Sequence, residues 1–159
     1  CHQIAVAIFL EECRSLELTP LQFAVLDSLA QDGPQEQVKL GGAAALDRTT
    51  ISLVIRKLEA RQLLRREKSA MDQRANIVSI TPAGSRLCTR ALPAVEAAQR
   101  RILAPLDDAE TKTLLRLLEK LSTGNNAFSR APEKARQCDP SPARIRSRTS
   151  TPGRGARKP

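Results

Sequence analysis

Apolar residues recur at helical spacing along most of the first 120 positions, broken by a few short stretches of strand and turn character. Residues 2–15 predict a helix with Ile4 and Ile8 stacked on one side. Val6, Phe9 and Leu10 add apolar surface elsewhere, more than so short a helix can bury within its own domain. In "LTPLQFAVLDSLAQDG" Thr19 can cap, Pro20 takes the first helical position, and Gly33-Pro34 ends the segment. Its expected stripe is Leu21, Val25, Leu26 and Leu29, with Gln22 and Asp27 off it. A short helix is expected over 35–44. In "LDRTTISLVIRKLEARQ" Asp47 is the expected N-cap, and Ile51, Val54, Ile55 and Leu58 fall at i, i+3, i+4, i+7 to make one buried face. The opposite face presents Thr49, Ser52, Leu53 and Arg56, flanked by Arg48, Thr50 and Lys57. Two strand-like runs follow at 63–67 and 76–81, joined by a polar, basic tip.

Thr81-Pro82 then opens a long helix to about Leu103. Pro105 breaks it, and Asp107 or Asp108 caps a last helix to about Leu121. There Leu114, Leu115, Leu117, Leu118 and Leu121 cover more than one face. Terminal helices that are apolar on several sides predict burial against a second subunit. The order predicts a mainly α fold with a small β-hairpin wing: a winged helix-turn-helix flanked by N- and C-terminal dimerisation helices. The expected organisation is an N-terminal dimerisation helix over 1–18, a DNA-binding region over 19–82, C-terminal dimerisation helices over 83–131, and a basic Pro/Arg/Ser-rich disordered tail over 132–159. The chain starts at Cys1 within an apolar helical pattern, so its true N-terminus is expected to lie upstream.

Charge sharpens this picture once it is located. The 159 residues carry a net charge of +9, which points to a polyanion. Residues 130–159 hold 9 Lys+Arg against 2 Asp+Glu, so most of the excess lies in the tail, which has too little apolar surface to offset its ordering entropy. Within the body, residues 47–74 hold eight Lys+Arg against four acids. The charge is therefore concentrated on the polar-faced helix and the hairpin beside it. A helix enters the major groove, where Arg reads guanine and Ser/Thr contact bases or phosphates, and a basic hairpin reaches the adjacent minor groove. With three Phe, no Tyr and no Trp, the chain lacks the aromatic platforms on which single-strand and RNA binders stack bases.

Other chemistries find little to work with. The four cysteines (Cys1, Cys13, Cys88, Cys138) form no CxxC or Cys/His cluster, and one histidine leaves little for zinc or a His-based dyad. No metal, cofactor or catalytic residue is expected, and no nucleophile–base pair or phosphate-binding glycine loop can be assembled. The run Ile4–Leu10 is far shorter than a membrane span needs, so a cytoplasmic protein with reduced thiols and no membrane partner is expected.

"LTPLQFAVLDSLA", "LDRTTISLVIRKLEARQLLRREKSAMDQRANIVSITPAG" and "ILAPLDDAETKTLLRLLEKL" resemble the MarR family of bacterial transcriptional regulators over roughly residues 2–132. The most specific element is Asp72-Gln73-Arg74 between two strands, followed by "SITPAG". The resemblance implies a homodimer on a pseudo-palindromic double-stranded DNA operator. It makes Arg74 the wing-tip residue that enters the minor groove, Asp72 its brace, and the helix from Arg48 the recognition helix. Candidate DNA contacts are thus Arg48, Thr49, Thr50, Ser52, Arg56, Lys57, Arg65, Lys68, Asp72 and Arg74, with Arg65, Arg66 and Lys68 as phosphate anchors. "HQIAVAIFLEEC" and "SRAP" are similar to a subgroup tied to aromatic-compound degradation, which implies a small aromatic carboxylate or phenolic effector. Its candidate pocket is lined by Phe9, Cys13, Phe23 and Cys88, with His2 and Arg14 as polar partners. Three departures stand out. Gln62 replaces the usual Gly after "LEAR", at a cost on the order of 1 kcal/mol if the backbone there is left-handed. Gln73 and Asn76 leave the wing with less positive charge, and residues 133–159 are extra, either a DNA-binding extension or read-through of a shifted frame or vector. Two rival functions remain: a redox switch acting through Cys13 or Cys88, and a winged-helix module that binds protein and not DNA.

Overall fold

A computed structural model describes residues 1–44, 46–69 and 74–125, so the expectations for Asp72, Gln73, Cys138 and the tail lie outside the described residues. The elements are α1 (His2–Glu12), α2 (Pro20–Asp32), β1 (Gln35–Glu36), α3 (Gln37–Ala43), α4 (Arg48–Ala60), β2 (Leu64–Lys68), β3 (Asn76–Ile80), α5 (Pro82–Leu103) and α6 (Asp108–Gly124). A 3-10 turn at Arg14–Leu16 ends the first helical segment earlier than expected, and Glu17 leaves it in a left-handed conformation (φ 50°).

Two further differences have definite physical causes. Gln35–Glu36 is a strand, not the start of a helix: Gln35 pairs with Val78 and Glu36 with Ile77, giving a three-stranded antiparallel sheet in the order β1-β3-β2. In α2 the buried stripe keeps Val25, Leu26 and Leu29 as expected but takes Gln22 (8% exposed) in place of Leu21 (41%). Gln22 is the N3 residue of a capping box: its backbone N–H donates to Thr19 Oγ1 at 3.3 Å and its Oε1 accepts from the Thr19 N–H at 3.1 Å. That reciprocal pair satisfies two otherwise orphaned donors and turns the Gln22, Val25, Leu26, Leu29 face inward.

One core runs from α1 through α2, α3 and α4 to the sheet and to α5 as far as Ala98. Its largest fully buried side chains include Leu18, Val25, Leu26, Leu29, Leu40, Ile51, Ile55, Leu58 and Val78. α1 lies along α5, and Arg101 ties the two with bonds to Glu12 (2.6 Å) and Glu11 (3.1 Å). α6 opens with a second capping box, Asp107 with Glu110, yet buries no side chain; Leu114, Leu115, Leu117, Leu118 and Leu121 are all exposed.

The end of α4 decides how the hairpin is carried. Leu63 N–H donates to Leu58 O (2.9 Å) and Gln62 N–H to Glu59 O (2.8 Å), a Schellman closure with Gln62 at the left-handed position (φ 57°). The backbone at this position, where the resembled family usually carries glycine, is thus left-handed in this chain although the residue is Gln. Thr81 then locks α5 onto this turn. Its N–H donates to Leu63 O (3.1 Å), its hydroxyl to Gln62 O (2.8 Å), and that same oxygen accepts from Gly84 N–H (3.1 Å). Gly84 sits so close that a methyl there would run into the Leu63 carbonyl and lie 2.9 Å from Ile80 Cγ1.

Gly84→Ala is therefore expected to destabilise the fold by about 2 kcal/mol, in the range of overpacked cores. Gln62→Gly is expected to stabilise it by about 0.5 kcal/mol, as relief of the left-handed backbone outweighs the freer unfolded chain. Urea titrations followed by circular dichroism measure both, and an unchanged midpoint for Gly84→Ala would contradict the close approach.

Candidate nucleic-acid interface

α4 is shaped by its cap and its two unlike faces. Asp47 Oδ1 accepts from the N–H groups of Thr49 (2.9 Å) and Thr50 (3.0 Å), and Oδ2 accepts from the Thr50 hydroxyl (2.7 Å). A carboxylate at this end also matches the positive pole of the helix. Ile51, Val54, Ile55 and Leu58 are buried as expected. Arg48, Thr49, Leu53, Arg56 and Lys57 are exposed, whereas Thr50 is half-buried with its hydroxyl held by Asp47. Ser52 is half-buried too: its hydroxyl donates to Arg48 O (2.8 Å) and accepts from Gln37 Nε2 (2.7 Å).

The wing is built on five residue pairs from Leu64↔Ile80 to Lys68↔Asn76, with Ser69 N–H donating to Ala75 O (3.0 Å) beyond the last of them. Val78 is buried against the core, so the hairpin cannot slip by one residue without exposing it. Arg65 pairs with Glu67 (3.0 Å) across exposed side chains, and Arg66 reaches back to Glu59 on α4 (3.1 Å). Exposed pairs of this kind contribute at most about 1 kcal/mol and exchange readily for phosphate. Lys68 and Arg74 are exposed on the same hairpin.

Arg48 at the start of α4 and Arg74 on the wing line one cleft of about 390 Å³, together with Gln37, Val38, Ile51 and Asn76. The two cationic elements that the sequence separates by 26 positions thus converge. Arg61 is a contact the sequence reading missed: its guanidinium donates to Glu17 O (2.7 Å) and Leu16 O (3.3 Å), bracing the end of α4 against the link between α1 and α2. Its partners are backbone carbonyls 44 and 45 residues away, so no local pattern marks it.

The candidate effector residues divide differently. Phe9, Cys13 and Cys88 belong to the closed core, and Phe23 packs at its edge with its ring 6.2 Å from that of Phe9. Arg14 and His2 are exposed. His2 begins α1 and Cys13 follows its end, so the helix rise separates them by roughly 16 Å. Burial pushes the thiols of Cys13 and Cys88 up, with Glu12 adding to the first and Asp27 to the second.

The architecture is that of a winged helix-turn-helix protein, with α3–α4 as the helix pair and β2–β3 as the wing. The MarR family model matches residues 18–75. HTH-type transcriptional repressor NicR of Pseudomonas putida is 31% identical over 120 residues, 76% of each chain. A probable transcriptional regulator from Pseudomonas aeruginosa superposes with a TM-score of 0.72 at 37% identity, covering 76% of this chain and 90% of its own. Bordetella bronchiseptica BpsR, whose structure addresses how 6-hydroxynicotinic acid regulates its DNA binding, superposes with a TM-score of 0.72 at 34% identity over 76% and 92%. The chain belongs to the MarR family, and its homologues are transcriptional repressors and regulators. No described helix is long and apolar enough to cross a membrane.

With both thiols buried and their protons held more tightly than in the unfolded chain, native Cys13 and Cys88 are expected to resist a disulfide reagent at pH 7 and to react at the rate of unfolding. The same upward shifts make their contribution to stability full below the ordinary thiol range and lost as pH rises through the folded-state values. Labelling of either residue as fast in buffer as in urea would contradict this burial.

Proposed function

We propose that the chain is a homodimeric repressor that holds a pseudo-palindromic operator through α4 and the wing and is released by a small aromatic acid. The observation that carries this reading is the convergence of Arg48 and Arg74 on one cleft beside the exposed face of α4. A helix about 10–12 Å across fits a major groove about 12 Å wide. Arg56 and Thr49 would meet base edges or phosphates there, and Leu53, half of whose surface is exposed, would meet a thymine methyl. Arg74 would enter the neighbouring minor groove, with Arg65, Lys57 and Lys68 on phosphates. Thr50 is better read as a cap residue, since its hydroxyl is engaged by Asp47.

A dimer is supported by the leucines of α6 and by an apolar groove of about 980 Å³ between the start of α1 and the α5–α6 corner, lined by Ile4, Ile102, Leu106, Leu114 and Leu117. Two-fold symmetry would set the reading helices about 34 Å apart, one turn of duplex. The effector class is supported by BpsR and its 6-hydroxynicotinic acid. An acid of this kind would act by favouring a dimer shape whose helices are wrongly spaced, and it can shift the balance only by its differential affinity for the two shapes. The burial of Cys13 and Cys88 weighs against a peroxide-sensing role.

Titration of a duplex from the gene's own upstream region tests this reading. Arg56→Ala is expected to cost about 1–3 kcal/mol of specific binding, and Arg74→Ala to weaken binding and reduce the salt slope by about 1. Unchanged affinity in both variants would favour a protein-binding module. Sequence-independent binding that disappears on removing residues 133–159 would overturn the proposal.

A further inference from the structure

Ser52 lies on the face of α4 offered to DNA, but its hydroxyl is already engaged on two sides. A serine hydroxyl has one proton and two lone pairs. Arg48 O, 2.8 Å away, can only accept, so the proton belongs there. The polar atom of Gln37 that lies 2.7 Å from Ser52 Oγ must then donate, which makes it the amide nitrogen. That assignment leaves Gln37 Oε1 buried without a hydrogen-bond partner among the described residues, a cost consistent with the Ser52 bond fixing the amide. One lone pair of Ser52 remains, and no proton.

We infer that Gln37 is a positioning residue for base recognition: by pinning the Ser52 rotamer against Arg48 O it makes this hydroxyl an acceptor only. Ser52 then reads an exocyclic amino group in the major groove, adenine N6 or cytosine N4, and cannot donate to guanine O6, thymine O4 or a purine N7. The inference rests on the reading of α4 as the helix that enters the major groove. Without Gln37 the side chain is free to leave Arg48 O, and the hydroxyl regains both polarities.

The experiment begins with selection from a randomised 30-base-pair duplex library by the full-length chain, its Ser52→Ala variant, and Gln37→Leu and Gln37→Met. The base pair whose preference disappears in Ser52→Ala is the one Ser52 reads. At that pair, purine or pyrimidinone nucleosides that lack the amino group, and 7-deaza purines that lack N7, are placed in the selected site. Deleting the amino group is expected to weaken wild-type binding roughly three- to tenfold, to leave Ser52→Ala unaffected, and to matter less in both Gln37 variants. Deleting N7 is expected to leave the wild type unchanged. A clear consensus in which Ser52→Ala alters no position, or in which N7 deletion costs more than amino deletion, overturns this inference alone. Selection of no sequence at all overturns the DNA-binding reading and this inference with it.

Discussion

The reading surface depends on a contact that never touches it. Leu63 is the residue where α4 ends and the wing begins. Its carbonyl accepts from the backbone N–H of Thr81, whose hydroxyl donates to the adjoining Gln62 carbonyl, while its own N–H closes the last turn of α4 on Leu58. Gly84 lets the start of α5 come within contact of the Leu63 carbonyl, which no residue with a Cβ could do without displacing it. Four elements (α4, β2, β3 and α5) thereby share one junction, and the angle between helix and hairpin is set there. Arg61 adds a second brace, from the end of α4 to the left-handed turn that follows the first helical segment. α4 is thus tied to α5 through Leu63 and Thr81, and to the segment after α1 through the Glu17 backbone.

The magnitudes show why the charges are not what holds the fold. The exposed pairs Arg65–Glu67 and Arg100–Glu96 are each worth a fraction of a kcal/mol in salt. A fully buried leucine or isoleucine such as Leu58 or Ile55 contributes several times that. An exposed basic side chain such as Arg65 is thus nearly neutral for stability. The two caps on Thr19 and Asp47 serve the fold with polar groups near the surface, and each contributes about 1 kcal/mol.

Much of this was legible in the chain because the signals were local and periodic. The buried face of α4, its Asp47 cap, the hairpin and the Thr81-Pro82 start of α5 all follow from spacing and turn chemistry within a few residues. The two-residue β1 was not legible, since Gln35 becomes a strand only by pairing with Val78, 43 positions on. Nor was the inward turn of Gln22, where a capping box outweighed the apolar claim of Leu21. Among the site residues, sequence placed Thr50 and Ser52 with the exposed polar positions of α4, and only the structure reveals that their hydroxyls are already engaged, by Asp47 and by Gln37. The brace attributed to Asp72 lies outside the described residues.

In the proposed function, two copies present their α4 helices and wings to one face of a duplex. Hydroxyl-radical footprinting of the upstream duplex with the full chain tests it most directly. Two clusters of protection centred about one helical turn apart, flanked by protected minor-groove sugars where the wings would lie, are predicted. Uniform protection along the duplex, or a single cluster that does not repeat with two-fold symmetry, would contradict the account.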